Sequence, residues 1–118
     1  MDFAIGTDIE EISRFANKTL ENDEHFLTHI FTEKELEYCF SKGKPAQHLC
    51  ARFCAKEAGI KALTDFGIKN VYYSDIEILN NEFGVPDIRV KGFPELHIKT
   101  SLSHSKTYAT ATVIILSC

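Results

Sequence analysis

The spacing of apolar and polar positions changes period near the middle of the chain. Phe3 to Ile9 is a short, mostly apolar run around Gly6 and predicts a strand, with Asp8 near its end. From Glu10 to Leu20, the residues Ile12, Phe15, Ala16 and Leu20 are spaced for one face of a helix, with Arg14 and Lys18 paired on another. The acids from Glu21 to Glu24 end that pattern. Thr32 followed by Glu35 has the form of a capping box and opens a short helix to about Phe40. Pro45 suits the first turn of the next and longest helix, Pro45 to Phe66. There Leu49, Phe53, Ile60 and Leu63 share one arc, and Gly67 makes the stop. Gly59 inside this helix costs about 1 kcal/mol relative to alanine, which a close packing partner would explain.

Beyond the long helix the period becomes that of strands. Asp75 to Leu79, Ile88 to Val90, His97 to Leu102 and Tyr108 to Leu116 read as extended segments, with turns at Gly84 and Pro86 and at Gly92 and Pro94. A first strand, then helices, then an antiparallel run is an α+β order, the long helix covering one face of the sheet. At 118 residues the chain fits a single domain, 1–118.

Charge sharpens this picture. The net charge is -4, but residues 1–40 hold ten acids against three bases. Ser41 to Lys61 reverses the balance, with Lys42, Lys44, Arg52, Lys56 and Lys61 against the single acid Glu57. An acidic chain with one local basic segment suits a compact anion and not nucleic acid. No run reaches the roughly 20 apolar residues of a membrane helix. MDFAIGTD lacks the basic start of a signal peptide, so the expected location is the cytoplasm. Cys50 and Cys54, in an apolar helical segment, and the terminal Cys118 read as reduced thiols.

Three patches offer chemistry, each with a plainer alternative. Glu57 and Lys61 share a helix face, where an ordinary surface ion pair accounts for the spacing. Lys56 falls inside the apolar arc, so its stem snorkels outward or a buried anion compensates its charge. Asp8 either caps a following helix with Thr7 or meets Glu57 to make an oxygen-rich site for a hard divalent cation. Ser101-Leu-Ser-His-Ser105 is a polar strand end or a phosphate site. His25 and His29 have helical spacing for zinc but lack a third ligand. A phosphate-binding Gly-Lys-Ser/Thr loop, a GxGxxG motif and a serine nucleophile elbow are all missing from the sequence.

Together these patches resemble the holo-acyl carrier protein synthases, the small trimeric branch of the 4'-phosphopantetheinyl transferases. The resemblance rests on Ile5-Gly-Thr-Asp-Ile9 running into Glu11-Ile-Ser-Arg14, on Arg52-Phe-Cys-Ala-Lys-Glu-Ala58 with Lys61-Ala-Leu63, and on Ser101 to Ser105 with Tyr108-Ala109. It implies a phosphopantetheinyl transferase fold and transfer of the 4'-phosphopantetheine group of coenzyme A to a serine of apo-acyl carrier protein, a step that supports fatty acid synthesis. It further implies magnesium held by Asp8 and Glu57, with Lys61 beside the reacting phosphate. Lys44, Arg52, Ser103 and His104 then hold coenzyme A. Arg14, with Lys18 on the same element, docks the acidic recognition helix of the carrier. The implied assembly is a homotrimer with sites between subunits. The proton of the attacking serine goes to Glu57, to a water beside the metal, or to His104.

Two features depart from the family pattern. Glu21, Asp23 and Glu24 follow the docking residues where relatives carry more positive charge, and they would meet an acidic carrier unfavourably. The Asn80–Pro86 turn is longer than the family's compact turn. Rival readings are a transferase for a different carrier, a non-catalytic coenzyme A or nucleotide binder, and a structural subunit.

Overall fold

The computed structural model describes residues 3–117, so Cys118 lies outside the described residues. The elements run β1 (Phe3–Glu11), a 3-10 helix (Ile12–Phe15), α1 (Glu24–Ile30), α2 (Glu33–Phe40), α3 (Pro45–Asp65), a second 3-10 helix (Tyr73–Asp75), β2 (Ile76–Asn80), β3 (Pro86–Val90), β4 (His97–His104) and β5 (Tyr108–Leu116). The α+β architecture matches the expectation, with one difference: the strands form two sheets, β1-β5-β4 and β2-β3, all pairs antiparallel.

The helix expected over Glu10–Leu20 does not form. β5 is nine residues long, and its register with β1 runs from Phe3↔Leu116 to Glu11↔Tyr108. Ladder hydrogen bonds therefore claim the chain through Glu11 before any helix can start. Ile12 and Phe15, three apart, then fit a single 3-10 turn whose Phe15 is buried. Thr7 and Asp8 do not cap a helix here; the Thr7 hydroxyl donates to the carbonyl of Ala111 at 3.1 Å. The capping box at Thr32 is present, with Glu35 Nα donating to Thr32 Oγ1 and Thr32 Nα donating to Glu35 Oε1.

α3 lies across the sheet and contributes more of the core than any other element: Leu49, Cys50, Phe53, Cys54, Ala58, Ala62 and Leu63 are buried against β1, β5 and β2. It comes very close to the sheet at Gly6, where an added Cβ would lie 2.0 Å from the carbonyl oxygen of Ala58 and 2.8 Å from Ala62 N. Only glycine lets the helix backbone rest directly on the strand. Gly59 is different. Its Cβ would meet Ile76 Cδ1 at 3.4 Å, an ordinary contact, so no crowding there demands glycine.

Lys56, fully buried, settles between its two sequence alternatives in favour of a buried anion. Its ammonium lies 2.8 Å from Glu35 Oε1 and donates to the carbonyls of Tyr73 and Ile76. Glu35 Oε2 also accepts from Ile78 N at 2.9 Å, so this network ties α2, α3 and β2 together. Burial lowers the Lys56 pKa, and the Glu35 carboxylate opposes that shift.

Candidate active site

β1 and α3 bring the two expected acids together. Asp8 projects from the helix-covered face of β1, two residues past the glycine contact, while Glu57 directly precedes Ala58 on α3. Strand alternation puts Glu10 on the same face as Asp8. Asp8, Glu10 and Glu57 each offer a carboxylate oxygen, and these oxygens lie within 4.8 Å of one another. Glu10 is the residue that sequence reasoning missed.

The details of this cluster bear on a cation. Asp8 Oδ2 is buried and makes no hydrogen bond within the described chain. A buried, unpaired carboxylate oxygen is costly unless a charge or donor reaches it. Together with two further carboxylates, it fits a hard divalent ion such as magnesium. Burial, and then the neighbouring Asp8 carboxylate, raise the Glu10 pKa; Arg14 opposes this with its Nη1 on Glu10 Oε1 at 2.8 Å. Lys61 does not pair with Glu57. Its ammonium turns to β1, 3.6 Å from Asp8 Oδ1, and donates to the carbonyl of Thr7 at 3.0 Å. Burial first, and then the neighbouring Glu57 carboxylate, raise the Tyr73 pKa.

The basic residues gather elsewhere. Arg52 is only 2% exposed; its Nη2 donates to Asn80 Oδ1 at 2.6 Å and its guanidinium lies 4.3 Å from the Tyr38 ring centroid. Its Nε is buried without a partner among the described residues. Lys42 covers the same ring at 4.6 Å, and His48 meets it edge-on at 5.8 Å. Burial, then the charges of Arg52, Lys42 and His104, lower the His48 pKa. Lys44, just before α3, is exposed. His104 ends β4 on the helix side, whereas Ser103 is on the opposite, open face in register with Thr110. Ser103 and His104 therefore do not point to the same place in one protomer. Glu57 comes five residues after Arg52, about 140° further around α3.

Arg14 sits on the 3-10 helix, with its guanidinium 4.8 Å from the Phe53 ring centroid. It borders a shallow cavity of about 340 Å³ lined also by Phe26, His29, Ile30, Phe53 and Tyr73. Lys18 lies 3.8 Å from Asp23 and 4.9 Å from the Phe26 ring centroid, so part of the unfavourable acidic run is neutralised locally. His25 and His29 are exposed on α1 and join no metal-binding group among the described residues. Cys50 and Cys54 are buried free thiols. No helix of the described residues is long and apolar enough to cross a membrane.

Residues 4–113 match the model of the 4'-phosphopantetheinyl transferase superfamily. The holo-[acyl-carrier-protein] synthase of Oceanobacillus iheyensis is 41% identical over 113 residues, covering 94% of this chain and 93% of that protein. That of Caldanaerobacter subterraneus subsp. tengcongensis is also 41% identical, covering 97% and 94%. Among solved structures, the synthase of Neisseria meningitidis superposes with a TM-score of 0.82 at 28% identity, over 99% of this chain and 100% of that one. The synthase of Bacillus anthracis in complex with CoA (3',5'-ADP) superposes with a TM-score of 0.77 at 31% identity, over 98% and 96%. The fold and these likenesses define a group-transferring enzyme of the phosphopantetheinyl class. The chain belongs to the 4'-phosphopantetheinyl transferase superfamily and, within it, to the holo-acyl carrier protein synthases. The reaction of this family moves 4'-phosphopantetheine from coenzyme A to apo-acyl carrier protein, in the service of lipid metabolism.

Proposed function

We propose that the chain carries out this transfer as a magnesium-dependent homotrimer in the cytoplasm, the single domain 1–118 contributing both a cation site and a coenzyme A surface. The observation that carries the reading is the convergence of Asp8 and Glu57 around a buried, unpaired carboxylate oxygen. Asp8 and Glu57 hold the cation. When bound, magnesium would neutralise charge on the diphosphate and favour ionisation of the attacking hydroxyl. Lys61, fixed by the Thr7 carbonyl at the rim of Asp8, sets a positive charge where charge grows on the transferred phosphoryl oxygens. The Glu57 carboxylate takes the proton of the acceptor serine. The serine oxygen bonds to phosphorus, the bond to the bridging oxygen breaks, and adenosine 3',5'-bisphosphate leaves.

Lys44, Ser103 and His104 bind the phosphates of coenzyme A, with Arg52 adding positive charge beneath them. Arg14 and Lys18 receive the acidic helix of the carrier beside the apolar cavity on α1. Two observations support a trimer with shared sites. Acidic and basic residues lie on different sides of α3, so one diphosphate is most simply reached by two neighbouring protomers. The sheet face away from α3 also exposes Phe3, Ile5, Ile9, Tyr108 and Leu116, an apolar surface suited to further copies of this chain. The test is to incubate the protein with apo-acyl carrier protein, coenzyme A and magnesium and to weigh the carrier. The carrier should gain the mass of phosphopantetheine, and a chelator should abolish the gain. An unchanged carrier mass, or a gain indifferent to chelator, contradicts the proposal.

A further inference from the structure

The third acid of the cluster belongs to two sites at once. Glu10 shares the Asp8 face of β1, its carboxylate within 4.8 Å of Asp8 and Glu57, yet its Oε1 is held by Arg14 Nη1 at 2.8 Å. The Glu10 side chain is 16% exposed and the Arg14 side chain 53%. One partner of this pair faces the cation site and the other faces solvent beside the apolar cavity on α1. The cavity lined by Arg14 is the surface assigned above to the carrier, and this inference rests on that assignment.

We infer that Glu10 couples carrier docking to cation binding: Arg14 offsets its charge in the free protein, and its carboxylate acts at full strength on the Asp8–Glu57 site when Arg14 engages an acidic carrier. The physical argument is competition for one carboxylate. While Arg14 is bonded to Glu10, its positive charge offsets the acid that would otherwise strengthen attraction for a divalent cation. An acid on the carrier gives Arg14 a second partner. The released Glu10 then leaves a third negative charge, no longer offset by Arg14, beside the cation. Arg14, half exposed, is screened by solvent at its end of the bridge, which lets an acid of the carrier compete with Glu10 for it. By linkage, whatever factor the carrier adds to cation affinity, the cation adds to carrier affinity. A carrier would then reach a site at full strength only after docking.

The test measures Mn2+ binding by electron paramagnetic resonance, without coenzyme A, so that no turnover enters the readout. The titration is run with and without apo-acyl carrier protein whose acceptor serine is replaced by alanine. Wild-type protein should bind Mn2+ about five-fold or more tightly when the carrier is present. Glu10→Gln should bind Mn2+ more weakly than wild type and show no change on adding carrier. Arg14→Gln should bind Mn2+ more tightly than wild type in the absence of carrier, with the carrier adding nothing. Wild-type affinity unmoved by carrier overturns the inference. Coupling that persists in Glu10→Gln also overturns it, since the effect then comes from the general field of the carrier. Asp8→Asn serves as the separate control: if it binds Mn2+ like wild type, the cation site itself is misplaced, which is a different failure.

Discussion

The two sides of α3 contrast in how they hold charge. On the β1 side, three carboxylates crowd together, one oxygen is buried without a partner, and a lysine sits at the rim. On the Tyr38 side, Arg52, Lys42 and His48 surround one aromatic ring, and the innermost charge, Arg52, is anchored to Asn80. Like charges gathered in this way cost free energy in the isolated chain, and each side gains by binding the opposite charge. The acidic side suits a cation and the basic side an anion. A magnesium-bound diphosphate offers both, provided the two kinds of surface meet. A single helix separates them within one protomer, so the contrast itself argues for assembly.

The comparison breaks most readily on the acidic side. Asp8→Ala or Glu57→Ala should lower turnover by at least about 10²–10³-fold while leaving thermal unfolding nearly unchanged, because each removes a carboxylate of the proposed cation site without opening the core. Steady-state kinetics with a melting curve checks both halves of that statement. Gly6→Ala attacks the same site through its scaffold. Backbone atoms of α3 occupy the space of the new methyl group, so strand and helix must separate. Stability should fall by about 3 kcal/mol, at the upper end of ordinary overpacking, in a urea titration, with activity falling alongside. A stable, active Gly6→Ala protein would show that close contact is not what aligns Asp8 with Glu57.

Smaller effects sharpen the contrast. Lys61→Ala should slow transfer about 10²-fold while carrier affinity, measured by titration calorimetry, stays within a factor of two, since the ammonium faces Asp8 and not the surface proposed for the carrier. On the basic side, the His48 pKa is held below its ordinary 6.5 by burial and three neighbouring cationic groups. The unfolded state therefore binds the proton more readily, and this contribution to stability is lost as pH falls from about 6.5 toward the lower folded value. His48→Gln should flatten the dependence of melting temperature on pH in that window. An unchanged slope would remove His48 from the cluster.

How far the sequence revealed all this depends on whether a feature is local. The cap at Thr32, the long helix and the span of β5 follow from short-range signals, and the structure shows each. Asp8 and Glu57 stood out because their surrounding residues resemble a family; nothing in spacing alone placed them together. At the end of β1, Ile12, Phe15 and Ala16 mimic a helical face, while the competing signal is the length of β5, a partner nearly a hundred residues away. Carrying the strand to Glu11 by alternation would have exposed Glu10 as the companion of Asp8. The anion matching Lys56 is equally hidden in the sequence, since Glu35 serves the capping box with one oxygen and Lys56 and Ile78 with its carboxylate as a whole. α1, seven residues long with only Leu27 and Ile30 buried, carried too weak a period to be seen.

Mixing subunits gives the most direct test of the account, which requires acidic and basic halves from neighbouring protomers at each site. Asp8→Ala protein and a Lys44→Ala/His104→Ala protein, each inactive at limiting coenzyme A, are unfolded together in equal amounts, refolded and assayed. Random assembly into rings should restore about one quarter of wild-type activity, because half the acidic and half the basic contributions are intact. No recovery above the separate variants, in a mixture shown to contain hybrid trimers, would contradict the shared site.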